Sequence, residues 1–92
     1  MWSATQIAQF ITDKEYRVQK NIFNTKDLGL LIKKARKQQG LTQADVAGIS
    51  GLGSRFIGEV ENGKNTAHIG KVMQLLSNVG LALSVNCDWM ED

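Results

Sequence analysis

Residues 41–64 read LTQADVAGISGLGSRFIGEVENGK, a stretch in which two short helical patterns meet at a glycine turn. Thr42 is a good N-cap, and Asp45 three residues later completes a capping box, so a helix is predicted to begin at Gln43. Gly51 can adopt the left-handed backbone conformation that ends such a helix. The stretch therefore predicts two helices joined by a tight turn.

The second of these helices is predicted to begin at residue 53 or 54 and to stop at residues 62–63, where Asn and Gly stand together. Its spacing places three apolar side chains on one face, and these are Phe56, Ile57 and Val60. Polar and small residues occupy the opposite face. Two helices of this kind, joined in this way, are a helix-turn-helix motif.

The motif resembles the helix-turn-helix of the Cro/C1-type (XRE) DNA-binding family. The family pattern contains L-T-Q, A, G, I, E and G-K, which correspond here to Leu41-Thr42-Gln43, Ala47, Gly51, Ile57, Glu61 and Gly63-Lys64. One departure is Gly53, which stands where the family usually has Ser or Thr. The resemblance implies a mainly α, lambda-repressor-like domain of four to five helices.

In this motif the second helix lies in the major groove and the first crosses the DNA backbone, which places Ser54 and Arg55 nearest the base edges. Arg55 can bind a guanine through two hydrogen bonds. By family correspondence, Gln43 and Asn62 contact phosphates, together with backbone amides at the start of the first helix and around Lys64. The predicted DNA-binding residues are Lys33, Lys37, Gln43, Gly53, Ser54, Arg55, Phe56, Glu59, Asn62 and Lys64.

The helix before the motif is predicted to be capped by Thr25 and to close at residues 39–40. Its apolar residues follow i, i+3, i+4, i+7 spacing, and they are Leu28, Leu31, Ile32 and Ala35. Residues 25–40 carry a net charge of +4. Lys33 and Lys37 therefore either form a solvated face or lie close to phosphates. The family resemblance also implies that Arg36 forms a structural ion pair with Glu61.

After residue 64, Thr66 is expected to cap a fourth helix that ends at residues 78–80. Its predicted core residues are Ile69, Val72, Met73 and Leu76. His68 is the single histidine of the chain and is interpreted as structural. One His and one Cys cannot supply four zinc ligands, and no catalytic constellation is present, so neither an enzyme nor a metal or cofactor site is expected.

Residues 81–87 alternate apolar and polar positions, with Leu81, Leu83, Val85 and Cys87 on one face, which predicts a strand. A single strand leaves backbone N–H and C=O groups without partners. Pairing of two copies about a two-fold axis would satisfy them, and so would pairing with a weaker strand pattern at residues 15–23. Either arrangement is expected to make a dimer, with Leu81, Leu83 and Val85 as dimerisation residues.

A helix-turn-helix followed by a strand, across residues 25–87, is similar to the HipB-type antitoxins. The resemblance implies a dimeric repressor that binds an inverted-repeat operator, represses its own operon and binds a HipA-type serine/threonine kinase toxin. Two other classes remain: a stand-alone XRE-family repressor, and a protein-binding adaptor, against which the basic helix and Arg55 count. Phe56 either packs in the core or contacts a thymine methyl group.

The predicted organisation is an N-terminal extension at 1–24, a DNA-binding domain at 25–80, the strand at 81–87 and a tail at 88–92. A helix starting at Ser3 is expected within the extension, which either covers the core or serves as an arm for a partner. The chain has 92 residues and a net charge of +2. It shows no signal peptide and no apolar run of membrane-spanning length, so a cytoplasmic location is expected.

Overall fold

The computed structural model describes residues 19–89, which contain four helices. They are α1 (Thr25–Gln38), α2 (Gln43–Ser50), α3 (Ser54–Glu61) and α4 (Ile69–Asn78). The predicted mainly α fold is confirmed. The helix expected from Ser3 lies outside the described residues, as does most of the strand pattern at 15–23, whose described part (19–23) has no regular secondary structure.

One hydrophobic core joins all four helices. Its fully buried members include Ile32 from α1, Val46 from α2, Ile57 from α3 and Leu75 from α4. Phe56 and Leu41 pack against this cluster from its edge. The structure therefore favours core packing for Phe56.

The turn of the motif forms as the sequence predicts. Thr42 Oγ1 accepts a hydrogen bond from Asp45 N at 3.0 Å, and Asp45 Oδ2 accepts one from Thr42 N at 2.8 Å, which completes the capping box. Gly51 ends α2 with a φ of 74°, a left-handed conformation that glycine adopts without steric cost. α3 then begins at Ser54, with Gly53 as its N-cap residue.

The first residue of α1 differs from the prediction. Asn24, not Thr25, is the N-cap, and its side chain accepts a hydrogen bond from Asp27 N at 2.8 Å. Thr25 Oγ1 instead donates to Gly63 O at 2.8 Å, a bond that ties the start of α1 to the turn after α3. Both residue types are good caps, and the contact with Gly63 decides between them.

α4 also starts later than predicted. His68 is the N-cap in place of Thr66, and its Nδ1 accepts a hydrogen bond from Lys71 N at 3.3 Å. Residues 65 and 66 form a turn, Ala67 packs against the core, and the helix begins at Ile69. The structural interpretation of His68 agrees with this capping role.

The buried face of α4 corrects the predicted core. Ile69 is 65% exposed and Met73 is 53% exposed, whereas Leu75 and Val79 are buried. α4 carries two apolar stripes with the same helical spacing, and both contain Leu76. The stripe of Val72, Leu75, Leu76 and Val79 faces the core, while Ile69 and Met73 lie at the surface.

Residues 81–87 contain no strand in this single chain. Leu81 packs against the core, and its N–H donates to Leu76 O at 2.9 Å. Leu83 and Val85 are exposed. The predicted strand is thus not confirmed here, and pairing with a second copy remains a prediction. Between residues 19 and 89, no helix is long and apolar enough to cross a membrane.

Candidate nucleic-acid interface

The outer face of α3 is exposed at its first turn. The Arg55 side chain is 94% exposed, and Ser54 beside it is exposed as well. Ile57 and Val60 on the opposite face are buried, which fixes the rotation of the helix. The first turn of α3 therefore presents Ser54 and Arg55 to whatever binds this face.

Glu59 links two of the predicted DNA-binding cations. Its Oε1 lies 3.1 Å from Arg55 Nε, and its Oε2 lies 2.5 Å from Lys64 Nζ. The backbone N–H of Lys64 also donates to Glu59 O at 3.0 Å. Hydrogen bonds from Lys64 and then Arg55 lower the pKa of the Glu59 carboxyl. We call Arg55, Glu59 and Lys64 the α3 charge cluster.

Gln43 lies at the first position of α2, but its side chain turns towards α3. Its Nε2 donates to Glu61 Oε1 at 3.2 Å. A Cβ atom placed on Gly58 would lie 3.5 Å from Gln43 Oε1, so the side chain passes directly over that glycine. Gln43 therefore connects the first helix of the motif with the second in addition to its predicted contact with phosphate.

The amide groups at the start of α2 are partly occupied. Thr42 N and Asp45 N donate to each other's side chains. Hydrogen bonds from the Thr42 backbone and then its hydroxyl lower the pKa of Asp45, so a negative charge stands at this helix start. The amides of Gln43 and Ala44 are the ones that remain for an incoming phosphate at this end.

The loop after α3 is held by α1. Asn62 is the exposed C-cap residue of α3, and Gly63 follows with a φ of 85°. Gly63 accepts the hydrogen bond from Thr25 Oγ1, and a Cβ atom on Gly63 would lie 2.9 Å from Lys26 Cα. Asn62 and Lys64 are therefore placed by contacts with α1 at the end of α3.

Lys33 and Lys37 are exposed and lie one turn apart on α1. Lys33 stands on α1 between Gly29, which packs against the backbone at the end of α3, and Arg36, which binds Glu61, so it lies on the side of α1 nearest α3. A shallow groove beside them is lined by Leu30, Lys33, Lys34, Lys37 and Gln38. The basic face of α1 is therefore continuous in sequence with the motif and close to the end of α3.

Beneath this surface, Arg36 and Glu61 form the ion pair expected between them. Arg36 Nε donates to Glu61 Oε2 at 2.7 Å, and Nη2 donates to Oε1 at 2.9 Å. Arg36 Nη1 also donates to Leu41 O at 2.8 Å, so one guanidinium joins α1, the α1–α2 turn and α3. Both residues are buried.

The structure brings the predicted site residues together in two groups. Arg36, Gln43 and Glu61 form an internal network, and the α3 charge cluster lies on the surface. The i, i+4 spacing of Arg55 and Glu59 is a local signal that could have predicted their pairing. No local signal predicts the Gln43 contact with Glu61. Leu81, Leu83 and Val85 belong to neither group.

Residues 32–85 match the helix-turn-helix family HTH_3. The chain belongs to this family. It is also 44% identical over 66 residues to the uncharacterized HTH-type transcriptional regulator y4mF of Sinorhizobium fredii, an alignment that covers 72% of this chain and 87% of that protein. This helix-turn-helix chain is accordingly a DNA-binding transcriptional regulator of the XRE type.

Solved structures that share the fold of this helix-turn-helix protein include two HipB complexes. A HipB-O4 20mer complex matches with a TM-score of 0.69 and 24% identity, over 78% of this chain and 100% of that chain. A HipA-HipB-O2-O3 complex matches with the same TM-score, identity and coverage. At this level of identity the likeness concerns the fold.

Proposed function

We propose that the protein is a dimeric repressor that binds an inverted-repeat operator and acts as the antitoxin of a HipA-type serine/threonine kinase. The observation that carries the DNA part is the outer face of α3, where Ser54 and the 94% exposed Arg55 stand clear of the core. A second helix of this kind enters the major groove with its N-terminal residues at the base edges. The proposed function is therefore sequence-specific binding rather than catalysis.

The residues of the motif divide into two roles on DNA. Arg55 reads bases, because its guanidinium can donate two parallel hydrogen bonds to one guanine. Gln43, Asn62 and Lys64 hold phosphates on either side of the groove, since they lie at the start of α2 and just after α3. Gly53 lets the start of α3 approach the DNA without a side chain between them.

The basic face of α1 supports a DNA complex in which α3 lies in the major groove. Lys33 lies on the side of α1 that packs on the end of α3, and Lys37 stands one turn further along α1. Cations at these positions lower the free energy of binding to any duplex through release of counterions. We assign them to phosphate contact, which adds affinity without adding sequence preference.

Dimerisation is proposed to use residues 81–87, next to a DNA-binding domain at 25–80. Leu83 is 49% exposed and Val85 is 90% exposed, although both belong to an apolar alternation. Leu81 anchors the segment to its own protomer through the bond to Leu76. The segment of a second copy would cover Leu83 and Val85 and pair the backbone groups between them.

The antitoxin part rests on likeness to HipB, which occurs with HipA in one of the matching structures. A kinase bound to a DNA-bound dimer must use a surface other than α3. The candidate surfaces are the exposed side of α4 with Ile69 and Met73, the tail, where Trp89 is 81% exposed, and the segment from Trp2 to Ile22, most of which lies outside the described residues. We propose that the kinase binds one of these surfaces while the operator occupies α3.

The test is co-expression of this chain with any kinase reading frame next to its gene. The expected result is a complex that co-purifies and represses the promoter of its own operon in a reporter strain. A Trp89→Ala variant and a chain lacking residues 1–22, which keeps the α1 cap Asn24, then assign the toxin surface. Arg55→Ala is the control that loses repression but keeps the kinase. Repression without kinase binding would instead establish the stand-alone XRE repressor, which is the alternative that the y4mF similarity supports.

A further inference from the structure

The α3 charge cluster joins a predicted base-reading arginine to a predicted phosphate-binding lysine through one acid. Each oxygen of Glu59 has its own cation, Arg55 Nε at 3.1 Å and Lys64 Nζ at 2.5 Å. Glu59 is also the more buried partner, because its side chain is 32% exposed while that of Arg55 is 94% exposed. The acid therefore holds the arginine.

The hydrogen bond uses one particular donor of Arg55. Nε is bound by Glu59, and the two terminal nitrogens, Nη1 and Nη2, make no hydrogen bond within the described residues, so they are available to another acceptor. Those two groups form the fork that matches O6 and N7 of guanine. A guanidinium held through Nε thus keeps this end available for a guanine in the groove.

The second oxygen of Glu59 keeps Lys64 from being a free cation. The lysine is bound twice to the same residue, through Nζ and through its backbone N–H. A carboxylate on this face also repels phosphates. Both effects lower affinity for DNA of any sequence, whereas the orientation of Arg55 raises affinity only where a guanine stands opposite.

We propose that Glu59 is a specificity-determining positioning residue: it orients Arg55 for guanine and, by engaging Lys64, restrains binding to non-cognate DNA. Glu59 contacts no base in this arrangement and acts through the two cations. The inference rests on the proposed DNA-binding function and adds to it the residue that sets the ratio of specific to non-specific affinity.

The test compares Glu59→Ala, Glu59→Gln, Arg55→Ala and the double variant Arg55→Ala/Glu59→Ala. The probes are a duplex that the wild-type protein enriches from a randomised library and a scrambled duplex of the same composition. Glu59→Ala should weaken binding to the enriched duplex by about twofold to fivefold, the range typical of one exposed charge pair. It should strengthen binding to the scrambled duplex and steepen the salt dependence by about one phosphate contact per protomer.

The double variant separates positioning from direct contact. In the Arg55→Ala background, Glu59→Ala should change binding to both duplexes by the same factor, because no arginine is left to orient. Glu59→Gln keeps an oxygen for Arg55 Nε, and it should retain more of the specificity ratio than Glu59→Ala. In the free protein, the Arg55 Nε–H should exchange with water more slowly in the wild type than in Glu59→Ala.

Three results would overturn the inference. A specific loss that persists in the Arg55→Ala background would make Glu59 a reader of bases. An unchanged specificity ratio in Glu59→Ala, while Arg55→Ala loses selectivity, would leave the proposed function intact and remove only the role of Glu59. Failure of the wild type to enrich any duplex would remove the proposed function and this inference with it.

Discussion

Arg36 and Glu61 are buried, lie 25 positions apart in the sequence and form an ion pair with two hydrogen bonds. The Nε–Oε2 and Nη2–Oε1 distances are 2.7 and 2.9 Å. Burial by itself would raise the pKa of Glu61. Hydrogen bonds from Arg36 and Gln43, together with the charges of Arg36 and Lys33, outweigh it, and the pKa is lowered. The pair fixes α1 to the end of α3, the helix proposed to enter the groove.

Removing the acid of this pair should destabilise the protein. Glu61→Ala leaves a buried guanidinium without its counter-charge, which costs about 3 kcal/mol or more, equivalent to a fall in Tm of at least about 10 °C for a domain of this size. Thermal unfolding, monitored by circular dichroism, measures the change in Tm. Glu59→Ala is a matched control, an acid on the same helix whose partners are exposed, and its Tm should change little. Equal shifts for the two variants would contradict the prediction.

The same pair predicts how stability depends on pH. The pKa of Glu61 is lowered from a reference value of 4.5. Because the folded pKa is the lower one, the stabilisation is complete above about pH 4.5 and is lost as the pH falls through the folded value. Urea unfolding of the wild type and Glu61→Gln between pH 3 and 7 should give free energies that converge at low pH. A constant difference across that range would show that the titration of Glu61 is not involved.

Gly29 is predicted to be essential to the packing of α1 on α3. A Cβ atom on Gly29 would lie 2.6 Å from Glu61 O and closer still to Val60 O, both of them backbone atoms that cannot rotate away. Gly29→Ala should lower the free energy of unfolding by about 1 to 3 kcal/mol despite the better helix propensity of alanine.

Gly48 supplies the control for that substitution. It lies inside α2, is exposed, and a Cβ atom there would meet nothing within 4 Å. Gly48→Ala should therefore raise the free energy of unfolding by up to about 1 kcal/mol. Opposite shifts of the two denaturation midpoints are expected. A destabilisation shared by both variants would mean that close approach to α3 is not the cause.

Base reading and phosphate binding should separate by substitution of Arg55 and Gln43. Arg55→Ala should cost about 1 to 3 kcal/mol on the selected duplex and little on a scrambled one. Gln43→Ala should weaken both. The same titrations across a range of salt test α1, since Lys33→Gln or Lys37→Gln should flatten the salt dependence. Equal losses for Arg55→Ala on the two duplexes would remove its role as a reader.

Dimerisation through residues 81–87 is tested without disturbing the core. Because Leu81 packs on its own protomer, the shortened chain should keep residues up to 82. It then lacks the exposed Leu83 and Val85. The shortened chain should be monomeric and should bind an inverted repeat much more weakly than the full chain does, since half-sites about 34 Å apart need two linked motifs. Light scattering measures the mass. A dimer that survives truncation would place the interface elsewhere.

The sequence determined the motif because its signals act between neighbouring residues. The capping box of Thr42 and Asp45 spans a single helical turn, and Gly51 needs only its own backbone freedom to end α2. The end of α3 at residues 62–63 is a local signal of the same kind. Interactions of this range are present in the sequence pattern itself, so the bounds of α2 and α3 could be predicted.

Where the sequence offered two equivalent caps or two equivalent apolar faces, only the tertiary structure decided which one was used. α4 has two apolar stripes of the same period, and the one that packs against the core of the other helices is buried. The long-range bonds from Gln74 Nε2 to Ser50 O and from Gln39 Nε2 to Val79 O accompany this orientation. Asn24 replaces Thr25 as a cap because Thr25 bonds Gly63, 38 positions away. The side chain of Gln43 likewise bonds Glu61 because the fold brings these two residues together. These outcomes depend on distances between segments remote in sequence, which hydrophobic periodicity does not encode.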